Sequence, residues 1–419
     1  MYQKHTFANG VRVLTQEIDH VRSVAIGIWV GTGSRHETSG YEGISHFIEH
    51  MLFKGTETRS ARQLAESLES VGGQLNAFTT KEITCYYAKV LDEHISLAIE
   101  VLSDMFFNSR FDPVEIDKEK NVVIEEIKMY QDTPDDLIHD LFSQYVWDNH
   151  PLGKPILGDE TTIKQFDRQK IQHYLHTNYT PDRIVIAVAG NIKHQDIVEK
   201  LAAFANLTRP EVQTSLAKPE GSVVRRSVSK DTEQMHLIVG VPGLGQNDKD
   251  MPVLHIINNI LGGGLSSRLF QEIREQRGLA YSVFSYHSTY ADTGLFAIYA
   301  GTNNTKTNEV IECILEQMNN LKIKGISEEE LRKTKAQIKG NLFLGLESVS
   351  SIMSRLGKTE LSFNRVKTAE ETVEELEKVS LADINRVMER LWLEDRISIL
   401  TLGQKEFSTD FDKLIKASL

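Results

Sequence analysis

Residues 43–56 read GISHFIEHMLFKGT and contain an H-x-x-E-H motif that begins at His46 and ends at His50. Residues four apart on a helix lie on the same face, so both imidazoles can point at one metal ion. Glu49 lies on the neighbouring edge of that face, within reach of a metal-bound water. Two histidines and a nearby glutamate are the groups with which zinc enzymes activate water. The motif inverts the commoner H-E-x-x-H and predicts a zinc hydrolase.

The residues around the motif favour a helix that is docked in a core. Ser45 is the expected N-cap of a helix that opens at His46. The apolar positions that would form the buried face of this helix are Phe47, Ile48, Met51 and Leu52. An amphipathic surface helix with solvated histidines is the alternative that the motif alone leaves open.

A second helix is predicted over residues 113–131. Asp112 reads as its N-cap, Pro113 as its first helical residue and Glu115 as the capping-box partner. Pro134 disfavours helical backbone at the residue before it, so the helix should end near residue 131. This helix is acidic on one face, which makes it a candidate source of a further metal ligand.

A catalytic zinc usually takes three protein ligands and leaves a fourth position for water. In the second helix, Glu119 and Glu126 are seven residues apart and share one face, whereas Glu125 belongs to another face. Spacing alone does not decide between Glu125 and Glu126. The alignment of two carboxylates favours Glu126 as ligand and Glu119 as a group that orients a ligand. A solvated acidic stripe is the alternative.

Length and composition limit the class of protein. A chain of 419 residues is too long for one ordinary core, so two or more domains are expected. A net charge of −12 without a basic patch argues against nucleic acid as a partner. No apolar run approaches the roughly 20 residues that cross a membrane, and the first residues do not resemble a signal peptide. Cys85 and Cys313 lie far apart in the sequence, which is typical of unpaired thiols in a reducing compartment. We therefore expect a cytoplasmic protein.

The same order of predicted strands and helices occurs twice, once on each side of a polar segment. This segment, residues 213–222, predicts a linker. We therefore expect an N-terminal zinc-binding half at residues 1–212 and a C-terminal half at residues 223–419. A strand at residues 23–30 corresponds to a strand at residues 235–241, and a helix follows each. The duplication implies two related halves.

Aligning the two helices shows that the C-terminal half lacks the glutamate and the second histidine of the motif. Setting Gly43 against Pro252 pairs His46 with His255, Glu49 with Asn258 and His50 with Asn259. The second helix keeps its apolar positions but has neither the carboxylate nor the second imidazole. We therefore expect the chemistry to belong to the N-terminal half.

The elements within each half do not alternate as in a parallel sheet. Residues 74–80 and 84–90 predict two strands joined by a short turn, and residues 91–107 predict a helix. Strands grouped beside long helices indicate an α+β fold. We expect two related α/β sandwich halves, each a mainly antiparallel sheet with helices on one face.

Residues 31–37, GTGSRHE, together with residues 43–56, resemble the pitrilysin-type zinc peptidases, which include insulin-degrading enzyme and the mitochondrial processing peptidase. The resemblance covers nearly the whole chain and is closest to single-length bacterial members of the processing-peptidase type. In that family a ligand glutamate follows the motif at a distance similar to that between His50 and Glu126 here. Another glutamate lies seven residues before that ligand. Glu126 and Glu119 match these positions, so the resemblance selects Glu126 over Glu125.

A second family motif lies in the C-terminal half. Residues 261–265, LGGGL, form a glycine-rich turn, and Arg274 and Tyr281 follow seven residues apart. In relatives such a pair reaches the substrate at the zinc site. An arginine can bind a peptide carbonyl, and a tyrosine hydroxyl can donate to a developing oxyanion. Without the resemblance, a turn that only reverses the chain and a Tyr281 that only packs are equally good interpretations.

The resemblance also implies a substrate edge. Asn76, Ala77 and Phe78 match the strand beside the zinc to which a substrate adds as a further strand. Such addition needs an extended peptide, so the implied activity is that of a zinc-dependent endopeptidase acting on short or unstructured polypeptides. One Zn²⁺ per chain would be held by His46, His50 and Glu126, with Glu49 as the general base acting on a zinc-bound water.

The family also supplies an expectation about assembly and three alternatives. Because this chain carries both the zinc motif and the Arg/Tyr pair, a homodimer enclosing a chamber is expected by analogy. The alternatives are a non-catalytic peptide-binding or assembly subunit on the same fold, a chaperone-like binder of unfolded segments, and a zinc enzyme acting on a small molecule. A peptide-cleavage assay separates them.

Overall fold

The computed structural model describes residues 2–208, 216–404 and 409–418. Residues 213–215 of the predicted linker lie outside the described residues. The chain forms two compact units. Unit 1 comprises Met1–Met129, Lys154–Ala217 and Leu344–Lys367. Unit 2 comprises Tyr130–Gly153, Lys218–Phe343 and Thr368–Leu419.

Unit 1 contains a six-stranded sheet. Its strands are β1 (Tyr2–Thr6), β2 (Arg12–Glu17), β3 (Ser23–Val30), β4 (Gln74–Thr79), β5 (Thr84–Leu91) and β6 (Ile184–Gly190). They are arranged in the order β1-β2-β6-β3-β5-β4, and only the pair β2 and β6 is parallel. The last strand in this order, β4, is therefore an edge strand.

Unit 2 contains a five-stranded sheet. Its strands are β7 (Arg225–Ser229), β8 (Met235–Pro242), β9 (Ala280–Thr289), β10 (Gly294–Thr302) and β11 (Ser398–Gly403). The order is β7-β11-β8-β10-β9, with β7 and β11 as the parallel pair. Strands β7, β11, β8, β10 and β9 thus repeat the pairing of β2, β6, β3, β5 and β4. The sheet topology bears out the duplication inferred from the sequence.

Helices surround both sheets. In chain order they are α1 (Ile44–Leu52), α2 (Ala61–Glu69), α3 (Ile95–Asn108), α4 (Pro113–Gln131), α5 (Pro134–Val146), α6 (Glu160–Lys164), α7 (Arg168–Asn178), α8 (His194–Lys200), α9 (Met251–Gly262), α10 (Thr307–Lys324), α11 (Glu328–Gly345), α12 (Val349–Phe363), α13 (Ala369–Glu377), α14 (Leu381–Leu391) and α15 (Phe411–Ser418). The α+β class with two related halves is confirmed. Among the described residues, no helix combines the length and apolarity that crossing a membrane requires.

Most helices of unit 1 cover one face of its sheet, and α12 covers the other. Strand β3 alternates, so that Ile26 and Ile28 enter the core shared with α1 while Trp29 enters the core shared with α12. The indole Nε1 of Trp29 lies 3.3 Å from the sulfur of Met353. A Cβ at Gly357 would collide with the same indole, so glycine allows α12 to lie against the strand.

The compact units differ from the predicted contiguous division in two segments. Residues 130–153, which contain α5, belong to unit 2, and residues 344–367, which contain α12, belong to unit 1. The physical reason is burial of apolar surface. In α5, Phe142 packs in the core under β8, and in α12, Met353 packs under β3. Each helix completes the second face of a sheet that lies in the other half of the sequence.

Candidate metal centre

Helix α1 begins at Ile44, two residues earlier than the sequence suggested. Its N-cap is Gly43, with φ 89°, and Ser45 lies inside the first turn, so the predicted Ser45 cap is wrong. The capping acceptor is the buried carboxylate of Glu37, which accepts from the N–H of Gly43 at 2.8 Å and from the N–H of Ser45 at 2.9 Å. Burial raises the pKa of Glu37 to about 8, although these backbone bonds lower it. Glu37 therefore holds the start of the helix that carries the motif.

Two histidines of α1 and one glutamate of α4 converge. One ligand atom from each of His46, His50 and Glu126 lies within 4.8 Å of the others. Nε2 of His46 is 3.9 Å from Oε1 of Glu126, and Nε2 of His50 is 3.6 Å from Oε2. Glu125 points away, with its side chain 72% exposed and paired with Lys128 at 2.7 Å. The geometry thus favours Glu126 over Glu125, as the alignment of carboxylates indicated.

The position of α4 follows from its predicted start. The helix spans Pro113–Gln131, as the sequence predicted, and Oδ1 of Asp112 accepts from the N–H of Val114 at 2.8 Å. This cap sets the start of the helix, and burial of Ile116 and Val123 in the core of unit 1 sets its rotation. Glu126, three residues after Val123, then lies at the rim of that core.

Two imidazole nitrogens and one carboxylate oxygen match the donor set of catalytic zinc sites. Burial and the neighbouring charge of His50 lower the pKa of His46 to about 3, which keeps this ring neutral. Burial also lowers the pKa of His50, but hydrogen bonding to Glu119 and the charges of nearby carboxylates raise it overall. The residues present therefore fit a Zn²⁺ ion.

Glu119 is buried beneath His50. Its Oε1 lies 2.7 Å from Nδ1 of His50, and its Oε2 lies 2.5 Å from Nζ of Lys54. Burial raises the pKa of this carboxyl, yet the bonds from His50 and Lys54 outweigh burial and lower it. A carboxylate on the far nitrogen of a ligand histidine fixes the ring and its tautomer. Lys54 was missed in the sequence, although it follows His50 by four residues.

Glu49 lies beside the convergent ligand atoms, partly buried. Its Oε2 accepts a hydrogen bond from Oγ1 of Thr79 at 2.5 Å. Burial raises the pKa of Glu49, while the bond from Thr79 and the charge of His50 oppose that rise. Sequence reasoning did not single out the hydroxyl of Thr79, because this contact joins α1 to a strand 30 residues further along the chain.

The predicted substrate residues lie on β4. Asn76 pairs with Tyr87 and Ala77 with Tyr86 of β5. The N–H of Ala77 donates to Oδ1 of Asn76 at 2.8 Å, so it does not bond to β5. Ala77 therefore belongs to the row of backbone groups that face the open edge.

Asn76 and Phe78 differ from Ala77 in orientation. The side chain of Ala77 packs against the core that includes α1, whereas Phe78 packs in the core on the opposite face, with its ring 5.6 Å from that of Trp29. Phe78 thus turns its ring away from the face on which the metal ligands lie.

Arg274 and Tyr281 belong to unit 2. Arg274 lies in a π-helix, Phe270–Gln276, a rare form that is frequent at functional sites. Its guanidinium carbon lies 4.9 Å from the ring centre of Phe270 and 4.8 Å from that of Tyr281. The side chain of Tyr281, on β9, is 76% exposed, so this tyrosine does not serve to fill a hydrophobic core. The structure brings these two predicted residues together as a stacked pair.

The helix of unit 2 that corresponds to α1 is α9, and it has no equivalent ligand group. His255 on α9 contacts His287 on β9, with Nδ1 and Nε2 3.0 Å apart. Within the described ranges, the one group of three or more potential ligand side chains is that of His46, His50 and Glu126. With Asn258 in place of the carboxylate, the described part of unit 2 has no comparable site.

Comparison with known families agrees with this division. Residues 12–160 match the model of the insulinase family, peptidase family M16, and residues 165–338 match the model described as the peptidase M16 inactive domain. The first match contains every predicted metal ligand, and the second contains Arg274 and Tyr281.

Curated relatives cover almost the whole chain. The "Uncharacterized zinc protease YmxG" of Bacillus subtilis (strain 168) is 51% identical over 94% of this chain and 97% of its own length. A relative named as a zinc protease in Streptomyces coelicolor is 37% identical over 96% of this chain and 89% of its own length. Another in Rickettsia bellii is 39% identical over 92% and 93%, respectively.

Solved structures share the fold. A protease from Helicobacter pylori has a TM-score of 0.89 at 22% identity and covers 96% of this chain and 99% of its own. A peptidase M16 inactive domain from Pseudomonas fluorescens has a TM-score of 0.90 at 18% identity and covers 98% of this chain and 100% of its own. At these identities the likeness concerns the fold. Together with the family models and the curated relatives, it means that this chain belongs to the insulinase family, peptidase family M16.

Proposed function

We propose that this zinc peptidase is an endopeptidase that hydrolyses peptide bonds in short or unstructured polypeptides. His46, His50 and Glu126 are its metal ligands, and Glu49 is its general base. The observation that carries the proposal is the convergence of three ligand atoms within 4.8 Å beside a partly buried carboxylate. Relatives named as zinc proteases support the same activity.

The chemistry divides between the metal and the chain. Zinc, when bound, lowers the pKa of water and polarises a carbonyl. Glu49 accepts the proton of the attacking water and returns it to the leaving amine, a transfer that contributes roughly 10²–10⁴-fold to such reactions. Glu119, hydrogen-bonded to Nδ1 of His50 at 2.7 Å, keeps Nε2 of that ring unprotonated and correctly aimed.

The substrate is a peptide in extended form. The open edge of β4, where the N–H of Ala77 is not bonded to β5, supports addition of a peptide strand along Asn76, Ala77 and Phe78. We assign to Arg274 the binding of a substrate carbonyl and to Tyr281 a hydrogen bond to the developing oxyanion. Folded proteins are poor substrates because a strand must be free to add.

We further propose that the enzyme is a cytoplasmic homodimer that encloses a chamber, with one zinc per chain. The presence of both family motifs in one chain supports self-association, and two buried free thiols, Cys85 and Cys313, suit a reducing compartment. Sedimentation equilibrium and elemental analysis test the assembly and the metal content. A monomer that retains full activity would contradict the dimer.

The decisive experiment is cleavage of a mixed library of unstructured peptides, read by mass spectrometry, with and without a chelator and alongside Glu49→Gln. Chelator-sensitive cuts inside peptides, absent from the variant although it binds zinc, are expected. Removal of terminal residues alone would replace the endopeptidase with an exopeptidase. Zinc-loaded protein that binds peptides but cuts none would favour the non-catalytic peptide-binding subunit.

A further inference from the structure

Thr79 connects the substrate edge to the general base. It is the last residue of β4, and its hydroxyl donates to Oε2 of Glu49 at 2.5 Å. We propose that Thr79 is a positioning residue that couples the binding of a peptide along β4 to the orientation of the Glu49 carboxylate. The inference rests on the proposed function, because it concerns the same base and the same substrate edge.

The backbone of Thr79 faces the open edge. In an antiparallel pair, residues that bond to the neighbouring strand alternate with residues that bond outward. Thr80 bonds inward, since its N–H donates to the carbonyl of Ile83 at 2.7 Å. Ala77 bonds outward, as its contact with Asn76 shows. Thr79, one residue from Thr80 and two from Ala77, therefore presents its N–H and C=O to an added strand.

The side chain of Thr79 points the other way, towards α1. Side chains alternate between the faces of a strand, so residues 75, 77 and 79 share a face. Leu75 and Ala77 pack against the core that contains α1, and Thr79 contacts Glu49 on that helix. One residue thus presents its main chain to the substrate and its hydroxyl to the base.

The end of β4 is held firmly enough for this hydroxyl to define a position. The N–H of Ser34 donates to the carbonyl of Thr80 at 3.2 Å, and the N–H of Arg35 donates to the carbonyl of Lys81 at 2.7 Å. A Cβ at Gly33 would collide with the Thr80 carbonyl, so glycine permits this close approach. The buried guanidinium of Arg35 also contacts Glu82 at 2.6 Å. The hydroxyl of Thr79 therefore projects from a strand end whose next two residues are held by backbone hydrogen bonds.

The bond from Thr79 assigns different tasks to the two oxygens of Glu49. A donor on Oε2 restricts rotation of the carboxylate, so that Oε1 is the oxygen that receives the proton. A peptide strand that bonds to the main chain of Thr79 further restrains this residue, and the restraint passes to the base through its hydroxyl. Misplacement of a catalytic group by about 1 Å can cost roughly 100-fold in rate, so the bond acts on turnover rather than on peptide affinity.

The test compares Thr79→Val with Thr79→Ser. Valine keeps the shape and removes the hydroxyl, whereas serine keeps the hydroxyl. For Thr79→Val we expect kcat to fall roughly 10-fold to 100-fold while KM stays within about twofold and zinc content is unchanged. Thr79→Ser should restore kcat to within about threefold of the wild type. Thr177→Val, which removes a hydroxyl bonded to the carbonyl of His173 on its own helix, is the control for hydroxyl loss.

Three outcomes overturn the proposal: unchanged kcat in Thr79→Val, equal loss in Thr79→Val and Thr79→Ser, or a change confined to KM or to zinc content. If the wild type cleaves no peptide, the proposed function fails and crystal structures of both variants decide the positioning role. A Glu49 carboxylate that reorients with valine but not with serine supports it. An unmoved carboxylate in both refutes it.

Discussion

Nδ1 of His50 lies 2.7 Å from Oε1 of Glu119, while Nε2 of the same ring faces Glu126 at 3.6 Å. The ring therefore uses one nitrogen for a buried carboxylate and directs the other to the place where the ligand atoms converge. Because the orientation of such a histidine ring is already held, the side chain loses little rotamer entropy when it binds a metal, and metal affinity is higher.

Glu119→Gln should weaken zinc binding roughly 10-fold to 100-fold, because an amide aligns the His50 ring without the negative charge that makes it a better ligand. Competition with a chromogenic chelator measures the affinity. Zinc affinity equal to that of the wild type would leave Glu119 as a packing group. Lys54→Met, which removes the other partner of Glu119, should have a smaller effect in the same assay.

Glu126→Gln should lower zinc stoichiometry and abolish turnover, because a neutral amide replaces the carboxylate, which is the one charged group among the three ligands. Glu125→Gln is the matched control, because that side chain is 72% exposed and pairs with Lys128. Elemental analysis after gel filtration reads the metal content of both. Loss of zinc in the Glu125 variant, with the Glu126 variant intact, would reverse the ligand assignment.

Tyr281→Phe should reduce kcat roughly 100-fold to 1,000-fold, the cost of removing one donor to an oxyanion. Tyr281 is 76% exposed, so the free energy of unfolding should change by less than about 0.5 kcal/mol. Steady-state kinetics and urea unfolding measure the two quantities. Normal turnover would remove the tyrosine from the chemical step and leave Arg274 to be tested alone.

Glu37→Ala should destabilise the protein by about 1–2 kcal/mol and also weaken zinc binding. The variant deprives the N–H groups of Gly43 and Ser45 of their acceptor and loosens the start of α1. The control is Glu42→Ala, which removes an acceptor from the N–H of Gly40 in the same loop. Urea unfolding and zinc titration should separate the two variants, and equal behaviour would contradict the role assigned to Glu37.

Asp250→Asn tests an ion-pair cluster of unit 2. Asp250, 3% exposed, accepts from Arg386 at 2.8 Å on both oxygens and from Arg390 at 3.1 Å. These bonds hold the pKa of Asp250 below its usual 3.8. Because the folded-state pKa is lower, the stabilisation is present above pH 3.8 and is lost as the pH falls through the folded-state value.

At neutral pH the Asp250→Asn variant should be less stable than the wild type by about 1.5–3 kcal/mol, the range for hydrogen bonds to charged groups. The difference should shrink as the pH falls below the usual carboxyl range. Urea unfolding of both proteins at a series of pH values measures it. A difference that stays constant with pH would mean that the charge of Asp250 does not stabilise unit 2.

Local sequence patterns were sufficient for the helical periodicity of the motif and for the start of α4, although not for the cap of α1. The four-residue spacing of His46 and His50 sets their common face, and the proline at position 113 with its preceding aspartate sets the start of α4. The duplication was visible in the order of elements because each half repeats the same strand pairing. The choice of Glu126 over Glu125 needed more, since it depends on the rotation of α4 relative to α1.

The sequence by itself determined the candidate ligand groups, the helices that carry them and the twofold repetition of the fold, because helical periodicity and the order of elements are local properties of the chain. Only the tertiary structure decided that Thr79 bonds to Glu49, that Glu37 rather than Ser45 caps α1, and that α5 and α12 complete the sheets of the opposite halves. The Thr79 contact and the positions of α5 and α12 join residues distant in the chain, and they follow from which apolar faces can be buried together. The Glu37 cap depends instead on how the loop before α1 folds back on the helix.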